Sequence, residues 1–252
     1  MIIHTFEDGG RTAACKRKLS EELFRLGIYE CIILPVPSTR DGVNMSGVEL
    51  RLDSILDLVK EGVLTVGYSV PDMIREEIVE RGGTLYDASL DEDFLVGNAE
   101  LTAEATLGIL LTTERRVPKD MTYGIVGYGR IGREILRHLL FLGGRVRVFT
   151  TRKDVRLLLS EFGVATAESA SGADLSGIDV LINTAPALIF DTDSDDFPKN
   201  MRVIDLASGN NFPRLDRVET YPSIPAKLYP ESSGVLLADC ALSFVRKSIL
   251  GL

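Results

Sequence analysis

Residues 121–151 read MTYGIVGYGRIGREILRHLLFLGGRVRVFTT and predict a strand, a tight turn, a helix and a second strand. The turn has the pattern Gly-x-Gly-x-x-Gly, with Gly127, Gly129 and Gly132 as its glycines. The first glycine permits the bend, the second lets the backbone approach a pyrophosphate, and the third lets the helix pack close to the strand. The stretch therefore predicts a dinucleotide-binding fold, in which the pyrophosphate meets free N–H groups at the helix N-terminus.

The end of the second strand indicates which dinucleotide is bound. An acidic residue about 20 residues after the first glycine would bind the ribose 2′-hydroxyl of NAD. That position holds Thr150 or Thr151 here, followed by Arg152 and Lys153, and the first carboxylate is that of Asp154. Two hydroxyls and two cations suit a 2′-phosphate, since a guanidinium pairs phosphate oxygens in a bidentate way. We predict NADP(H); the alternative is that the two cations belong to a solvated loop.

The composition is that of a globular protein with one large or two modest domains, since the chain has 252 residues. A net charge of −9 argues against a nucleic-acid binder, which more often has a basic face. Three scattered cysteines without a C-x-x-C pattern indicate reduced thiols and a cytoplasmic location, and no metal site is predicted. Neither a signal peptide nor an apolar run of about 18 residues is present, so no membrane span is predicted.

Residues 1–97 alternate short apolar stretches with helical patterns, which indicates a parallel sheet covered by helices. We interpret them as a flavodoxin-like substrate domain. Residues 91–97 are predicted to be a loop, 98–117 a helix linking the domains, and 118–233 the Rossmann domain. The final helix, within 234–252, is expected to pack on the first domain by analogy with two-domain proteins of this type.

Two further predicted strands of the second domain, 178–183 and 201–207, end in polar loops. Ligands of open α/β sheets bind outside the carboxyl ends of strands, so these loops are expected beside the glycine turn. Asp205 is expected to orient the backbone there, and Asn210 to touch cofactor or substrate. The cofactor contacts predicted besides the glycines and residues 150–153 are Arg130, Ile131, Asn183, Thr184, Ala185, Pro186, Asp205, Ala207 and Ser208.

Candidate substrate residues follow the strand predicted over 30–36. The hydroxyls of Ser38 and Thr39, after Pro37, would hold a carboxylate together with Arg40. The alternative is a plain turn.

A second set of candidates lies at the start of the linking helix and in a late loop. Asn98 and Thr102 would hold an anion at the helix N-terminus, unless Asn98 only caps the helix. Lys227 and Tyr229 are the titratable candidates for proton transfer in the loop predicted before residue 234.

The order of these segments resembles the dipicolinate synthase A family, NADP-dependent oxidoreductases of spore-forming bacteria. The resemblance spans almost the whole chain. It implies two α/β domains with a cleft between them, oxidation of dihydrodipicolinate to dipicolinate with NADP, a role in sporulation, a homodimer and a second, flavoprotein-like partner subunit. The matching stretches are Ile33-Leu34-Pro35-Val36-Pro37, Asn98-x-x-Leu101-Thr102-Ala103-Glu104, the glycine turn, Asn183-Thr184-Ala185-Pro186-Ala187-Leu188 and Asp205-Leu206-Ala207-Ser208.

Two loops depart from the family pattern. Gly209-Asn210-Asn211-Phe212 replaces a proline-glycine-glycine run, and residues 225–234 match an Ala-Pro-Lys-Thr-Ala-Gly loop only loosely. The first alternative is therefore a non-catalytic NADP-binding sensor or partner protein. The second is a D-2-hydroxyacid dehydrogenase, whose chemistry needs a histidine base; the two histidines here, His4 and His138, lie in the first strand and in the helix after the glycine turn.

Overall fold

The computed structural model describes residues 1–7, 9–186, 197–209, 211–212 and 215–251. The fold is α/β and divides into two compact units. Unit 1 comprises Met1–Asn98 and Pro225–Leu252, and unit 2 comprises Ala99–Ile224. Each unit has its own parallel sheet, which confirms the predicted fold class of a Rossmann domain with a smaller parallel α/β domain.

Unit 1 contains a four-stranded parallel sheet in the order β1-β2-β3-β4. This order follows the chain, whereas flavodoxin places its second strand outside its first. The helix predicted over 51–61 is only a short 3₁₀ helix, Leu52–Asp57, because Arg51 pairs with Asp53 and its carbonyl accepts the Ser54 hydroxyl. The regular elements are Ile2–Thr5 (β1), Gly10–Arg25 (α1), Glu30–Ile33 (β2), Val63–Gly67 (β3), Asp72–Glu80 (α2) and Thr84–Asp87 (β4).

Both faces of the unit 1 sheet are covered, as expected for a parallel sheet. Alternate residues of the buried second strand point to opposite faces. Cys31 and Ile33 pack with α1 and with the last helix, Pro230–Leu250 (α7), while Ile32 and Leu34 pack with α2. All three cysteines of the chain are free thiols buried in unit 1.

Unit 2 contains a six-stranded parallel sheet in the order β10-β9-β8-β5-β6-β7. This is the doubly wound order 3-2-1-4-5-6 of dinucleotide-binding folds, and it reverses between β5 and β8. The edge strand β10 is absent from the sequence prediction because three partly polar residues give no periodic signal. The elements are Thr122–Val126 (β5), Arg130–Phe141 (α4), Arg145–Phe149 (β6), Lys153–Glu161 (α5), Ala165–Ala167 (β7), Val180–Asn183 (β8), Arg202–Asp205 (β9) and Val218–Thr220 (β10).

The helix that connects the units, Glu92–Thr113 (α3), begins earlier than predicted, so the predicted loop over 91–97 is wrong. The physical reason is Asp91, whose Oδ1 accepts the N–H groups of Asp93 at 2.9 Å and Phe94 at 3.4 Å. A carboxylate that accepts these first-turn donors caps a helix.

By length and composition alone, α3 is also able to cross a membrane, but core helices of soluble proteins pass the same test. Ala103, Leu107 and Leu110 of this helix are buried in the core of unit 2. The burial of these three side chains accounts for its apolar character.

The late loop predicted before residue 234 is also wrong, because it forms a short helix, Ile224–Leu228 (α6), and the first turn of α7. Pro225 and Pro230 suggested a loop in the sequence. Both lie in first turns, where proline is tolerated because its missing N–H would have no partner in the helix.

Candidate functional site

The glycine turn follows β5 at the point where the strand order of unit 2 reverses. Gly127 has φ +91°, and its N–H donates to the Phe149 carbonyl at 2.9 Å. A Cβ on Gly127 would lie 2.8 Å from Thr184 Oγ1, and a Cβ on Gly132 would overlap the Gly127 carbonyl oxygen. The packing of the chain itself therefore requires glycine at both positions.

Gly129 differs from the other two glycines of the turn because nothing in the chain requires it. Its φ of −82° suits any residue, and a Cβ placed there meets no atom within 4 Å. Gly129 is the N-cap of α4, with no side-chain cap and no acidic residue in the first turn. Open space beside uncapped N–H groups fits an anion that approaches the backbone, which is how a pyrophosphate binds in this fold.

The loop after β8 is tied to the strand that precedes the glycine turn. The Thr184 N–H and hydroxyl both donate to the Val126 carbonyl at 2.9 Å. Thr184 and Ala185 are half-buried and Pro186 is exposed. These three residues therefore border the turn as predicted, whereas Ala187 lies outside the described residues.

A buried polar network holds the loops after β8 and β9 together. Asp205 accepts the Asn183 amide at 2.9 Å, the Asn211 amide at 3.0 Å and the Ala207 N–H at 3.1 Å. Asn183 is 0% exposed and Asp205 is 3% exposed. The sequence predicts direct cofactor contact for both side chains; burial corrects this to a positioning role.

Asn211 in this network was missed by the sequence analysis, because a lone asparagine in a polar loop gives no signal. Ala207 is half-buried and Ser208 is exposed, so these two predicted contacts remain accessible. Asn210 lies outside the described residues.

The residues predicted to bind a 2′-phosphate follow β6. Thr150 is buried, and its Oγ1 accepts the Arg152 N–H at 3.3 Å, while Thr151, Arg152 and Lys153 are exposed. Arg152 pairs with Asp154 at 2.8 Å and holds the pKa of that carboxyl below its usual range. Because both side chains are more than half exposed, this pair contributes little and leaves Arg152 available to a ligand.

Arg156 is an additional cation at this edge that the sequence analysis missed. Its Nη1 donates to the Thr150 carbonyl at 2.7 Å, and its side chain is 20% exposed. The signal was its position four residues after Arg152, which is one helical turn. Arg156 braces the backbone from which the predicted phosphate ligands project.

Two predicted substrate residues of unit 1 have internal partners. Ser38 is fully buried, its Oγ accepts the Tyr68 N–H at 2.9 Å, and its own N–H donates to the Tyr68 carbonyl at 2.9 Å. The Thr39 hydroxyl donates to Asp41 at 3.1 Å and accepts the Gly42 N–H at 3.0 Å. The prediction that these hydroxyls bind substrate is therefore wrong, because both are engaged in the loop itself.

Pro37, which follows a cis peptide bond, is half-buried, and Arg40 is exposed without a hydrogen-bond or ion-pair partner in the described part of the chain. Asp41 closes this loop by accepting the N–H groups of Val43 and Asn44, which keep the pKa of its carboxyl well below the usual range. Arg40 is thus the one predicted carboxylate ligand of this loop that remains free to act.

The other candidates occupy helices. Asn98 and Thr102 lie in the middle of α3, which starts at Glu92, so the predicted anion site at their helix N-terminus is wrong. Lys227 is exposed on α6 and Tyr229 is the N-cap of α7, both in unit 1. Their role in proton transfer stays a prediction.

Neither histidine lies at the glycine turn. His4 Nε2 lies 3.0 Å from a Glu30 carboxylate oxygen in unit 1. His138 Nδ1 lies 2.8 Å from the Glu134 carbonyl oxygen, about 12 Å along α4 from Arg130. The geometry gives a hydroxyacid dehydrogenase no histidine base at this turn.

Asp87 organises the carboxyl edge of the unit 1 sheet. Its side chain is 1% exposed, accepts the N–H groups of Ser69 at 2.9 Å and Val70 at 3.0 Å, and pairs with Arg75 at 2.8 Å. Burial raises the pKa of Asp87, but hydrogen bonds from Ser89 and the two N–H groups outweigh it and the net pKa is lowered. A lowered pKa gives stability that is complete above the unfolded value of about 3.9 and is lost as pH falls through the folded value.

We expect Asp87→Asn to destabilise the protein by about 3 kcal/mol at neutral pH, since Arg75 would lose its buried partner. The variant should also lose part of the stability decline between about pH 5 and pH 2. Urea unfolding across this range measures both effects. Asp72→Asn is the matched control, because Asp72 pairs with the same arginine but its side chain is 94% exposed; equal losses in the two variants would contradict the assignment.

The two units, with a doubly wound sheet in unit 2, define the fold of the two-domain α/β dehydrogenases, and solved structures show it in particular proteins. The A-type component of dipicolinate synthase from Bacillus halodurans aligns over 97% of this chain and 96% of its own, with a TM-score of 0.73 and 20% identity. The A chain of dipicolinate synthase from Bacillus subtilis aligns over 100% of this chain and 96% of its own, with the same TM-score and identity. D-Lactate dehydrogenase from Escherichia coli aligns over 100% and 98%, with a TM-score of 0.60 and 16% identity.

These structures match the resemblance noted in the sequence and show that the chain shares their fold. No protein-family model matches the chain, and no curated protein matches its sequence. Activity and cofactor are therefore inferred from the site itself.

Proposed function

We propose that this protein is an NADP-dependent oxidoreductase similar to the A chain of dipicolinate synthase, acting on dihydrodipicolinate or a related small carboxylated substrate. The observation that supports this most is the open space at Gly129, beside the uncapped N-terminus of α4 and at the reversal of strand order. The fold alone explains Gly127 and Gly132, whereas a ligand that approaches the backbone explains Gly129.

The residues around this turn have separate tasks in the proposal. The N–H groups of α4 bind the pyrophosphate, and Thr151, Arg152 and Lys153 bind the 2′-phosphate. Asn183 and Asp205 hold the neighbouring loops in place, so that Pro186 and Ser208 border the nicotinamide half. The bound NADP accepts the hydride, and the protein supplies binding and orientation.

Removing the two cations after β6 should change cofactor preference. We expect Arg152→Gln with Lys153→Gln to weaken NADPH binding about 10- to 100-fold, because charge-assisted contacts to the 2′-phosphate are lost. NADH affinity should stay the same, since NADH lacks that phosphate. Isothermal titration of both nucleotides measures this.

The matched control removes two other exposed cations of unit 2, Arg115 and Lys119, which precede β5 at the opposite edge of the sheet. This control should bind both nucleotides like the wild type. Equal weakening by the two double variants, or a wild-type preference for NADH, would contradict the proposed 2′-phosphate site.

The reaction itself is tested by adding NADP⁺ and freshly generated dihydrodipicolinate to the purified protein. We expect NADPH and dipicolinate to form in equal amounts, with and without a flavoprotein-like partner subunit, which the family resemblance also leads us to propose together with a homodimer. NADPH binding without any dipicolinate formation would favour a non-catalytic NADP-binding protein. The internal engagement of Ser38 and Thr39 is the observation that keeps this second function open.

A further inference from the structure

Arg11 is a buried cation in the first turn of α1, which none of the residues discussed so far neutralises. It is 6% exposed, and its Nε has no hydrogen-bond partner among the described residues. The groups that act on its charge are Glu7, Cys15 and Tyr68. The carboxylate among them, that of Glu7, already accepts the Thr12 hydroxyl at 2.7 Å and forms no ion pair with Arg11 within 4.0 Å in the described part of the chain.

Burial lowers the pKa of Arg11 to about 10, so the guanidinium still carries its charge at neutral pH. A buried charge without a matching partner is strongly unfavourable, and buried arginines are normally paired. The planar fork of an arginine matches a carboxylate in a bidentate way. A buried, charged and incompletely paired arginine is therefore suited to a ligand that brings its own negative charge.

The position of Arg11 is that of a ligand site in a parallel sheet. Glu7 follows β1 and Tyr68 follows β3, so the guanidinium lies at the carboxyl edge of the unit 1 sheet, where ligands of α/β folds bind. The N-cap of α1 is Gly9, without a side-chain cap, and the first turn contains no acidic residue. The free N–H groups of α1 therefore add a favourable dipole for an anion at the same place.

The neighbouring tyrosine is held rigidly at this edge. Ser38 bonds both the N–H and the carbonyl of Tyr68, and Asp87 accepts the N–H of Ser69, which has φ +54°. The Tyr68 hydroxyl donates to no residue of the described ranges. Ser38 and Asp87 thus act as positioning residues for a phenol that is available to a ligand.

We propose that Arg11, together with the N-terminus of α1 and the Tyr68 hydroxyl, binds the carboxylate of a small-molecule substrate. This inference rests on the proposed function, which supplies a carboxylated substrate. It assigns the carboxylate to Arg11 and not to Arg40, the arginine of the exposed loop after β2.

The test compares Arg11→Met with Arg40→Met by thermal unfolding, with dipicolinate and with its uncharged dicarboxamide as probes. Wild-type protein should be stabilised by dipicolinate and not by the dicarboxamide. Arg11→Met should be at least as stable as the wild type without ligand, because an incompletely paired buried charge is removed, yet bind dipicolinate at least about tenfold more weakly. Arg40→Met should bind dipicolinate like the wild type.

Three results would overturn the inference: wild-type protein that dipicolinate does not stabilise, a loss of binding in Arg40→Met only, or a strong destabilisation of ligand-free Arg11→Met. The third result would mean that Arg11 has a structural partner. Asp8→Asn checks the acidic neighbour in the same turn of the sequence; a loss of stability equal to that of Arg11→Met would identify Asp8 as that partner.

NADPH separates this inference from the proposed function. Arg11→Met should keep the full NADPH-induced rise in unfolding temperature, because the glycine turn lies in unit 2. If NADPH stabilises neither protein, the proposed function fails, while the dipicolinate comparison still decides the role of Arg11.

Discussion

Replacing Gly129 by aspartate should abolish NADPH binding without weakening the fold. The new side chain has open space, and aspartate is a slightly better N-cap than glycine, so the free energy of unfolding should equal the wild-type value or exceed it by about 0.3 kcal/mol. The same carboxylate would lie where the pyrophosphate binds. Like charges at an interface cost several kcal/mol, which corresponds to a loss of affinity of about 100-fold or more. Urea unfolding and NADPH titration measure the two effects separately.

Gly9→Asp is the matched control, since Gly9 is also an N-cap glycine with open space, in α1 of unit 1. It should keep NADPH affinity and should weaken dipicolinate binding if Arg11 and α1 bind a carboxylate. Wild-type NADPH affinity in Gly129→Asp would show that no pyrophosphate approaches the turn.

Gly132→Ala should have the opposite profile, with a damaged fold. The added Cβ would overlap the Gly127 carbonyl oxygen and lie 3.0 Å from Thr184 Oγ1. Backbone atoms of a tight turn move little, so overpacking should lower the free energy of unfolding by about 3 kcal/mol. NADPH binding should fall as well, because α4 is displaced from β5. Equilibrium urea unfolding measures the loss.

Gly129→Ala in the same turn is the control for this prediction, because its Cβ meets nothing within 4 Å. Its stability should lie within about 1 kcal/mol of the wild type. Similar stability losses in the two alanine variants would contradict the different roles assigned to the two glycines.

The Rossmann unit was predictable because its signals are local. The three glycines of residues 127–132, the apolar strand before them and the threonines after β6 are all visible within about 30 residues. The doubly wound order follows from this pattern of strands and helices. The start of α3 was missed although Asp91, Glu92 and Asp93 form an acidic cap and first turn, because Gly97 and Asn98 suggested a later boundary.

The roles of individual polar side chains were less predictable because they depend on burial. Ser38 and Asp205 end strands at the expected edge, yet both face inward and hold neighbouring loops. Arg11 looked like an ordinary helix residue, and only its burial beside Glu7 and Tyr68 distinguishes it. Sequence position predicts which edge a residue occupies, whereas the packing of distant segments decides whether its side chain faces a ligand.

The central claim, that the turn at Gly127–Gly132 binds NADP(H), is tested most directly by thermal unfolding of the wild-type protein with NADPH, with NADH and without ligand. A ligand that binds only the folded state raises the unfolding temperature by an amount that grows with its affinity and concentration. The account predicts a clear rise with NADPH and a smaller one with NADH at the same concentration. An unchanged unfolding temperature with both nucleotides would contradict it and would leave the glycine turn as a structural feature of the fold.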